Sequence, residues 1–258
     1  HGELQMNPKD LAKSESHLDL IRPHFEGKTV IMWRSDRGDT EELYRTETFK
    51  GVNLKSFHTI DETDFSGNIH GMKYHFLQTL KNPLADMMGE PKSIDFAYWG
   101  RMKHGNDRDK TIRQIYRDKN ISTVMVGGFP SGVKRQAAWI KDWKILYPML
   151  EPARCTLCFN WLDPTATTSR YPEALSIGMV PFVWRDYDSD NSYNIDPFQR
   201  VKTFEELQGK ISSLQEGDGK GHDQTNKLVE RYRENYAKVL LSEKEYFDQF
   251  SNMMDDYI

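Results

Sequence analysis

Residues 168–184 read TSRYPEALSIGMVPFVW. Pro172 suits the first turn of a helix, where its missing N–H leaves no bond unmade, and Gly178 suits the left-handed residue just past a helix end. The apolar run 179–184 follows at once and has the length of a buried strand. A helix over 169–178 emptying into such a strand is half of an α/β repeat. The alternation continues upstream. Strands are predicted at 28–33 (KTVIMW), 52–60, 93–100 (SIDFAYWG), 122–129 (STVMVGGF) and 153–161 (ARCTLCFNW). Helices are predicted at 8–26, 40–49, 70–80 and 108–120, within 134–150, at 203–214, and at 224–250. In the last, Leu228, Tyr232, Tyr236 and Leu240 share one stripe. Strands alternating with helices predict a parallel sheet. The stretch 82–93, with two prolines and a glycine, reads as a linker, and 217–223 (GDGKGHD) as a flexible loop.

The bulk numbers set bounds. The 258 residues are 37% hydrophobic and 29% charged, a soluble globular balance with room for one large or two modest domains. No apolar run approaches the roughly 20 residues that span a bilayer, so no membrane partner is expected. The first residue is His1 and no signal-peptide pattern follows it. Cys155 and Cys158 are the two cysteines, too few for a disulfide-built fold. A zinc site would need two further ligands at matching spacing, and a redox C-x-x-C would open a helix. This pair lies within a predicted strand, so two buried core thiols are expected, in a reducing compartment such as a cytoplasm. The eight histidines show no clustered metal spacing. Net charge is −4 but uneven: residues 92–145 carry 12 basic against 5 acidic side chains, and residues 1–91 carry 11 against 15. A local basic excess suits a polyanion, and equally a solvated helix face.

Ligands of α/β sheets lie at the carboxyl ends of strands. Three features fall there. In WGRMKHGNDRDK (99–110), Arg101, Lys103 and Arg108 surround a strand end, Gly105 and a helix start, where backbone N–H groups favour a phosphate. At the start of the 169–178 helix, Arg170 suits a diphosphate and Glu173 suits ribose hydroxyls; a surface i,i+3 ion pair is the alternative. Gly127 and Gly128 end a strand and leave space for a flat base or a ribose. In the first half, the strand 28–33 runs into the polar loop SDRGD, which holds Asp36 and Asp39. Asp36 there is either a functional carboxylate, a helix cap, or a partner of Arg34 or Arg37. Trp139, Trp143 and Tyr147 have helical spacing and read as core before base-stacking platform.

The segment PEALSIGMVPFVW resembles the donor-site helix and strand of GT-B glycosyltransferases. The pieces VIMWRSDRGDT, YWGRMKHGNDRDK and TSRYPEAL resemble, in this chain order, three parts of the DNA-modifying β-glucosyltransferases of T-even phages, which act on 5-hydroxymethylcytosine. Together they span about 40 residues spread over 29–184. The resemblance implies two Rossmann-like domains facing across a cleft, with the first strands of the N-terminal domain missing before residue 1. It implies an acceptor-side domain (1–91), a nucleotide-sugar domain (92–223) and a terminal helix crossing back (224–258). It implies an inverting enzyme, expected to be a monomer in a host cytoplasm, that moves a sugar from a UDP-sugar to a hydroxymethylated pyrimidine in double-stranded DNA. The runner-up acceptor is a glycan or small metabolite; a nucleotide-binding module without catalysis is a third reading. Asp36 takes the role of catalytic base, with Asp39 as its rival. Arg101, Lys103, Gly105, Arg108, Gly128, Arg170 and Glu173 take the donor, with Mg2+ or Mn2+ riding on the diphosphate. Lys103 stands where the family has an arginine, which removes a bidentate fork.

Overall fold

The computed structural model describes residues 22–24, 27, 29–34, 53–58, 92–102, 107–129, 132–138, 140, 142–160, 168–189, 191, 193–219, 223–239, 248 and 251. The chain divides into two compact units, His1–Tyr74 with Leu241–Ile258, and His75–Leu240. In the first, β1 (Thr29–Arg34) and β2 (Asn53–His58) pair in parallel, Thr29 opposite Asn53 and Arg34 opposite His58. β1 lies where an apolar run, β-branched at its start, predicts it, and β2 falls within the strand predicted at 52–60. A short 3-10 turn covers Arg22–His24, inside the helix predicted at 8–26. The helices predicted at 40–49 and 70–80, with Asp36 and Asp39, lie outside the described residues.

The second unit is built on a five-stranded, all-parallel sheet. Its strands are β3 (Ile94–Arg101), β4 (Thr123–Gly128), β5 (Ala153–Cys158), β6 (Val180–Trp184) and β7 (Arg200–Val201), in the order β4-β3-β5-β6-β7. The near-continuous apolar runs of β3 to β6 follow from burial on both faces. Five helices go with them: α1 (Asp107–Arg117), α2 (Trp143–Leu150), α3 (Arg170–Ile177), α4 (Phe204–Gly219) and α5 (Gln224–Ala237). From β3 the chain moves outward to β4; from β4 it returns past β3 to β5 and proceeds to β6 and β7. The winding therefore reverses between β3 and β5, which opens a crevice at their carboxyl ends. On one face Leu146, Tyr147 and Leu150 of α2 and Ala174 and Ile177 of α3 pack on Ala97, Trp99, Val124 and Val126. Helix α4 packs against α1, β3 and β5.

Several predicted elements change length. Of 134–150, only Trp143–Leu150 is helical, capped by Asp142, whose carboxylate accepts from Lys144 N at 2.9 Å. Residues 133–138 form no helix; Ala137 bridges to Val126 instead. Trp143 is 41% exposed while Tyr147 is buried, so the two aromatics do not form one core stripe. The loop predicted at 217–223 is helical as far as Gly219. Long-range contacts override the weak helix propensity of glycine there. The Asp218 carboxylate takes Arg154 Nε at 2.9 Å and Thr225 N and Oγ1 at 2.9 and 2.7 Å, while Gly217 lies against the Gln224 side chain. The helix predicted to Phe250 has its described run end at Ala237, followed by a turn at 238–239; Val229, Tyr232 and Tyr236 are its buried apolar and aromatic residues, with Thr225 and Asn226 buried at its start.

At the amino end of the sheet, Asp95 and Arg154 tie four segments together. Asp95 Oδ2 accepts from Ser122 N and Oγ, each at 2.7 Å, and Asp95 Oδ1 accepts from Arg154 Nη1 at 3.0 Å. Arg154 Nη2 donates to Lys92 O at 2.7 Å. The two cysteines are free and buried in β5, as expected for core thiols. Burial pushes the Cys158 thiol up to about 12.

At the carboxyl end, one backbone contact is unusually close. Gly127 has φ +131°, and a Cβ there would sit 2.2 Å from Gly100 O. Gly127→Ala is expected to destabilise the protein by roughly 2–4 kcal/mol, from backbone strain plus overpacking. Gly209→Ala, in α4 with open space around it, is expected to stabilise by about 1 kcal/mol, from helix propensity. Urea unfolding of the two variants checks the pair.

Candidate functional site

The crevice between β3 and β5 is bordered by the two strand ends and the first turn of α3. That turn is held by a reciprocal pair of bonds: Thr168 N donates to Tyr187 Oη at 2.9 Å, and Tyr187 Oη donates to Thr168 O at 3.2 Å. Gly178, in the left-handed conformation at φ 82°, ends the helix and turns the chain into β6. The Pro172 and Gly178 signals thus do what their residue types predict.

Arg170 begins α3. Its Nη2 donates to Trp99 O, and its guanidinium carbon lies 4.3 Å from the Tyr98 ring centre and 5.2 Å from that of Trp99. Stacking on two aromatic faces suits a cation that must be kept in place. Its Nε is buried and has no hydrogen-bond partner among the described residues. Arg108, in the first turn of α1, repeats the arrangement: Nη2 donates to Asn160 O at 3.0 Å, the guanidinium carbon lies 5.5 Å from the Phe159 ring centre, and Nε is unpartnered among the described residues. The Asn160 Oδ1 and Thr168 Oγ1 atoms are buried and unpartnered too. Buried polar atoms normally find partners, so several orphans at one strand-end crevice mark a place built for a polar ligand. Two guanidinium groups with a buried free N–H suit an anion with several oxygens.

Glu173 lies one turn along α3. It is only 5% exposed, and its Oε2 accepts from Trp99 Nε1 at 3.0 Å. The carboxylate is therefore buried against β3 rather than paired on the surface. Burial raises its pKa, while hydrogen bonds from Ser169 and Trp99 and the Arg170 charge pull it back down. Arg101 ends β3 exposed to solvent. Gly128 leaves room for a side chain, the nearest atom to a Cβ being Arg101 Cγ at 3.8 Å; the steric demand falls on Gly127. Lys103 and Gly105 lie outside the described residues, as does Asp36. Of the sequence-predicted set, Arg108, Arg170 and Glu173 therefore gather at the crevice, with Arg101 and Gly128 at neighbouring strand ends. Trp99, Tyr98 and Asn160 were not singled out by sequence. The one local signal that could have found any of them is a tryptophan directly before a glycine near a predicted strand end. Among the described residues no group of three His, Cys, Asp or Glu is placed to hold a metal ion. No helix of the described residues is long and apolar enough to cross a membrane.

No protein-family model matches the chain, and no curated protein does. Solved structures do match. A DNA-modifying β-glucosyltransferase, solved with and without uridine diphosphoglucose, aligns with a TM-score of 0.57 at 12% identity over 88% of this chain and 74% of that one. A T4 phage β-glucosyltransferase mutant in complex with UDP-glucose aligns at 0.55 and 12%, over 88% and 73%. The T4 enzyme in complex with UDP and Mn2+ aligns at 0.52 and 12%, over 88% and 74%. The chain thus has an α/β fold of the GT-B glycosyltransferase kind.

A carboxyl whose folded pKa is raised lends stability that is full at low pH and is lost as pH climbs from the unfolded value toward the folded one. Glu173→Gln is therefore expected to be more stable than the parent at pH 8, with the difference vanishing below the ordinary value of 4.5. Urea titrations at pH 4 and pH 8 check the sign.

Proposed function

We propose that the protein is a UDP-sugar-dependent glycosyltransferase whose donor binds at the β3/β5 crevice. The observation that carries this reading is the convergence of Arg108, Arg170 and buried Glu173 at one pair of strand ends, two of them with an unpartnered buried N–H. The fold likeness to β-glucosyltransferases supports it. A nucleoside diphosphate meets all three demands: its phosphates face the two guanidinium groups and its ribose hydroxyls face the Glu173 carboxylate. Arg101 adds positive charge at the same strand end, and Lys103 follows it two residues on in the sequence. Among the described residues no acidic cluster is placed to cage a metal. On this reading Mg2+ or Mn2+ is carried by the diphosphate and shields its charge.

The finer reading is an inverting transfer to DNA. Asp36 removes the proton from an acceptor hydroxyl as that oxygen attacks the anomeric carbon. The bond to the UDP oxygen breaks on the opposite side, and Arg108 and Arg170 take up the charge that grows on the diphosphate. Glu173 fixes the ribose and so aims the sugar. The acceptor is the hydroxymethyl group of a pyrimidine, and bringing it to a carboxylate requires flipping the base out of the duplex. The basic excess of 92–145 supports a polyanionic acceptor. Lys134 and Arg135 are exposed beyond β4, and neither is assigned a donor role, although Arg135 Nη1 donates to Gly127 O at 3.4 Å.

Arg170→Ala and Arg108→Ala are each expected to weaken UDP binding by about 1.5–3 kcal/mol, the scale of a hydrogen bond to a charged group. Unchanged affinity by calorimetry in both variants removes the donor assignment.

Incubation with UDP-sugars and paired duplexes of one sequence, plain and hydroxymethylated, is expected to yield sugar only on the hydroxymethylated one. Asp36→Asn is expected to keep UDP binding and lower turnover by about 100-fold or more. Neutralising Lys134 and Arg135 is expected to flatten the salt dependence of DNA binding without altering UDP affinity. Transfer to a glycan or small molecule, with none to either duplex, rules out the DNA acceptor and leaves the donor site standing.

A further inference from the structure

Trp99 of the sheet hydrogen-bonds both charged groups of α3 in the donor crevice. It sits near the end of β3 and is 5% exposed. Its indole Nε1 donates to Glu173 Oε2 at 3.0 Å across 74 residues of sequence, and its carbonyl accepts from Arg170 Nη2. Its ring lies 5.2 Å from the Arg170 guanidinium carbon. Backbone and side chain of a single strand residue thus fix the two groups that the proposed function assigns to phosphate and ribose.

We propose that Trp99 is a positioning residue: it orients Glu173 and Arg170 together, and through Glu173 it sets a preference for a ribonucleotide over its 2′-deoxy counterpart. This rests on the reading of the crevice as a nucleoside-diphosphate site. An indole N–H is a donor only, and an ionised carboxylate is an acceptor only with about four lone-pair positions. The bond therefore turns one Glu173 oxygen toward the sheet and leaves acceptor capacity for sugar hydroxyls.

The other groups facing Glu173 do not substitute for Trp99. Tyr147 of α2 and Cys158 of β5 are both kept neutral, since burial pushes the Tyr147 phenol well up and the Cys158 thiol up to about 12. Arg170 lies on the same helix as Glu173, and Ser169 supplies a neutral hydroxyl. Against the burial that favours the protonated acid stand the Arg170 charge, the Ser169 hydroxyl and the Trp99 N–H; of these the last alone comes from the sheet. An unaccompanied buried polar group is costly, so a carboxylate robbed of its donor protonates more readily, and a protonated acid accepts fewer sugar hydroxyls.

The test measures UDP and 2′-deoxy-UDP affinity of the full chain across pH by calorimetry. It compares the parent, Trp99→Phe, and a chain with benzothienylalanine at position 99, which keeps the indole shape without its N–H. In the parent, UDP is expected to bind more tightly than the deoxy form. Loss of the N–H is expected to shrink that preference by about 10-fold, the scale of one hydrogen bond to a charged group. It is also expected to move the acid limb of UDP binding to higher pH. Should Trp99→Phe fail to fold, the benzothienyl chain carries the comparison. An unchanged preference with an unchanged acid limb overturns the proposal, as does an equal loss of affinity for both nucleotides, which would mean packing alone. A parent chain that binds UDP while failing these tests refutes only the role of Trp99. A parent that binds neither nucleotide refutes the donor-site reading and this proposal with it.

Discussion

The carbonyl of Gly100 lies where the Cβ of any residue but glycine at 127 would be, and this close approach of two backbones governs the working end of the sheet. Strand β4 runs parallel to β3 in unbroken register from Phe96 opposite Thr123 to Arg101 opposite Gly128. Strand β3 therefore stays paired to its tip, with Gly100 at φ 114° facing Gly127 at φ 131°. Three consecutive residues near that tip then serve three purposes. Tyr98 offers its ring to Arg170, Trp99 takes Glu173 and Arg170, and Gly100 packs on β4. The start of α3 is positioned by a strand that is itself positioned by a missing side chain.

The two ends of the sheet differ in how their buried polar atoms are paired. At the amino end, Asp95, Arg154 and Asp218 form a network in which each named oxygen has a partner, joining β3, β5 and the α4/α5 junction. At the carboxyl end, Arg108 Nε, Arg170 Nε, Asn160 Oδ1 and Thr168 Oγ1 are buried without partners among the described residues. Natural folds break the rules of polar satisfaction where they act and keep them elsewhere. Unpartnered buried atoms also occur away from the crevice, at Thr156 Oγ1, Asn226 Oδ1 and Tyr232 Oη, but those belong to neutral side chains, whereas the crevice holds two guanidinium groups.

Much of this was legible in the sequence, because the relevant signals are local. The strands β1 and β3 to β6 are short, largely apolar runs, and α3 is punctuated by Pro172 and Gly178. Arg108, Arg170 and Glu173 stand out as ionisable residues at strand-to-helix junctions. What escaped depends on contacts between distant residues. The polar stretch 185–199 has no period to read, yet it leads into β7. A capping box there joins Asp196 and Gln199, and Gln199 also donates to Pro181 O at 2.9 Å. The extended run 133–138 looks helical in composition, but Gln136 and Ala137 bond to β4, Gln136 N reaching Met125 O at 2.8 Å. Glu173 could be picked out as a carboxylate on a helix, but not as a buried one, since its partner Trp99 lies 74 residues away.

The burial of Cys155 and Cys158 has a practical side. These are the only cysteines of the sequence, and both are enclosed in the middle of the sheet. The Sγ of Cys155 is engaged with Asp95 O at 3.2 Å, and burial holds both thiols far from the reactive thiolate form. The folded chain is therefore blank to thiol-directed reagents. A single cysteine introduced on the surface accepts a fluorophore or spin label with no native cysteine to remove first. Distances between the sheet and the first unit, His1–Tyr74 with Leu241–Ile258, become measurable in solution on an otherwise unaltered protein.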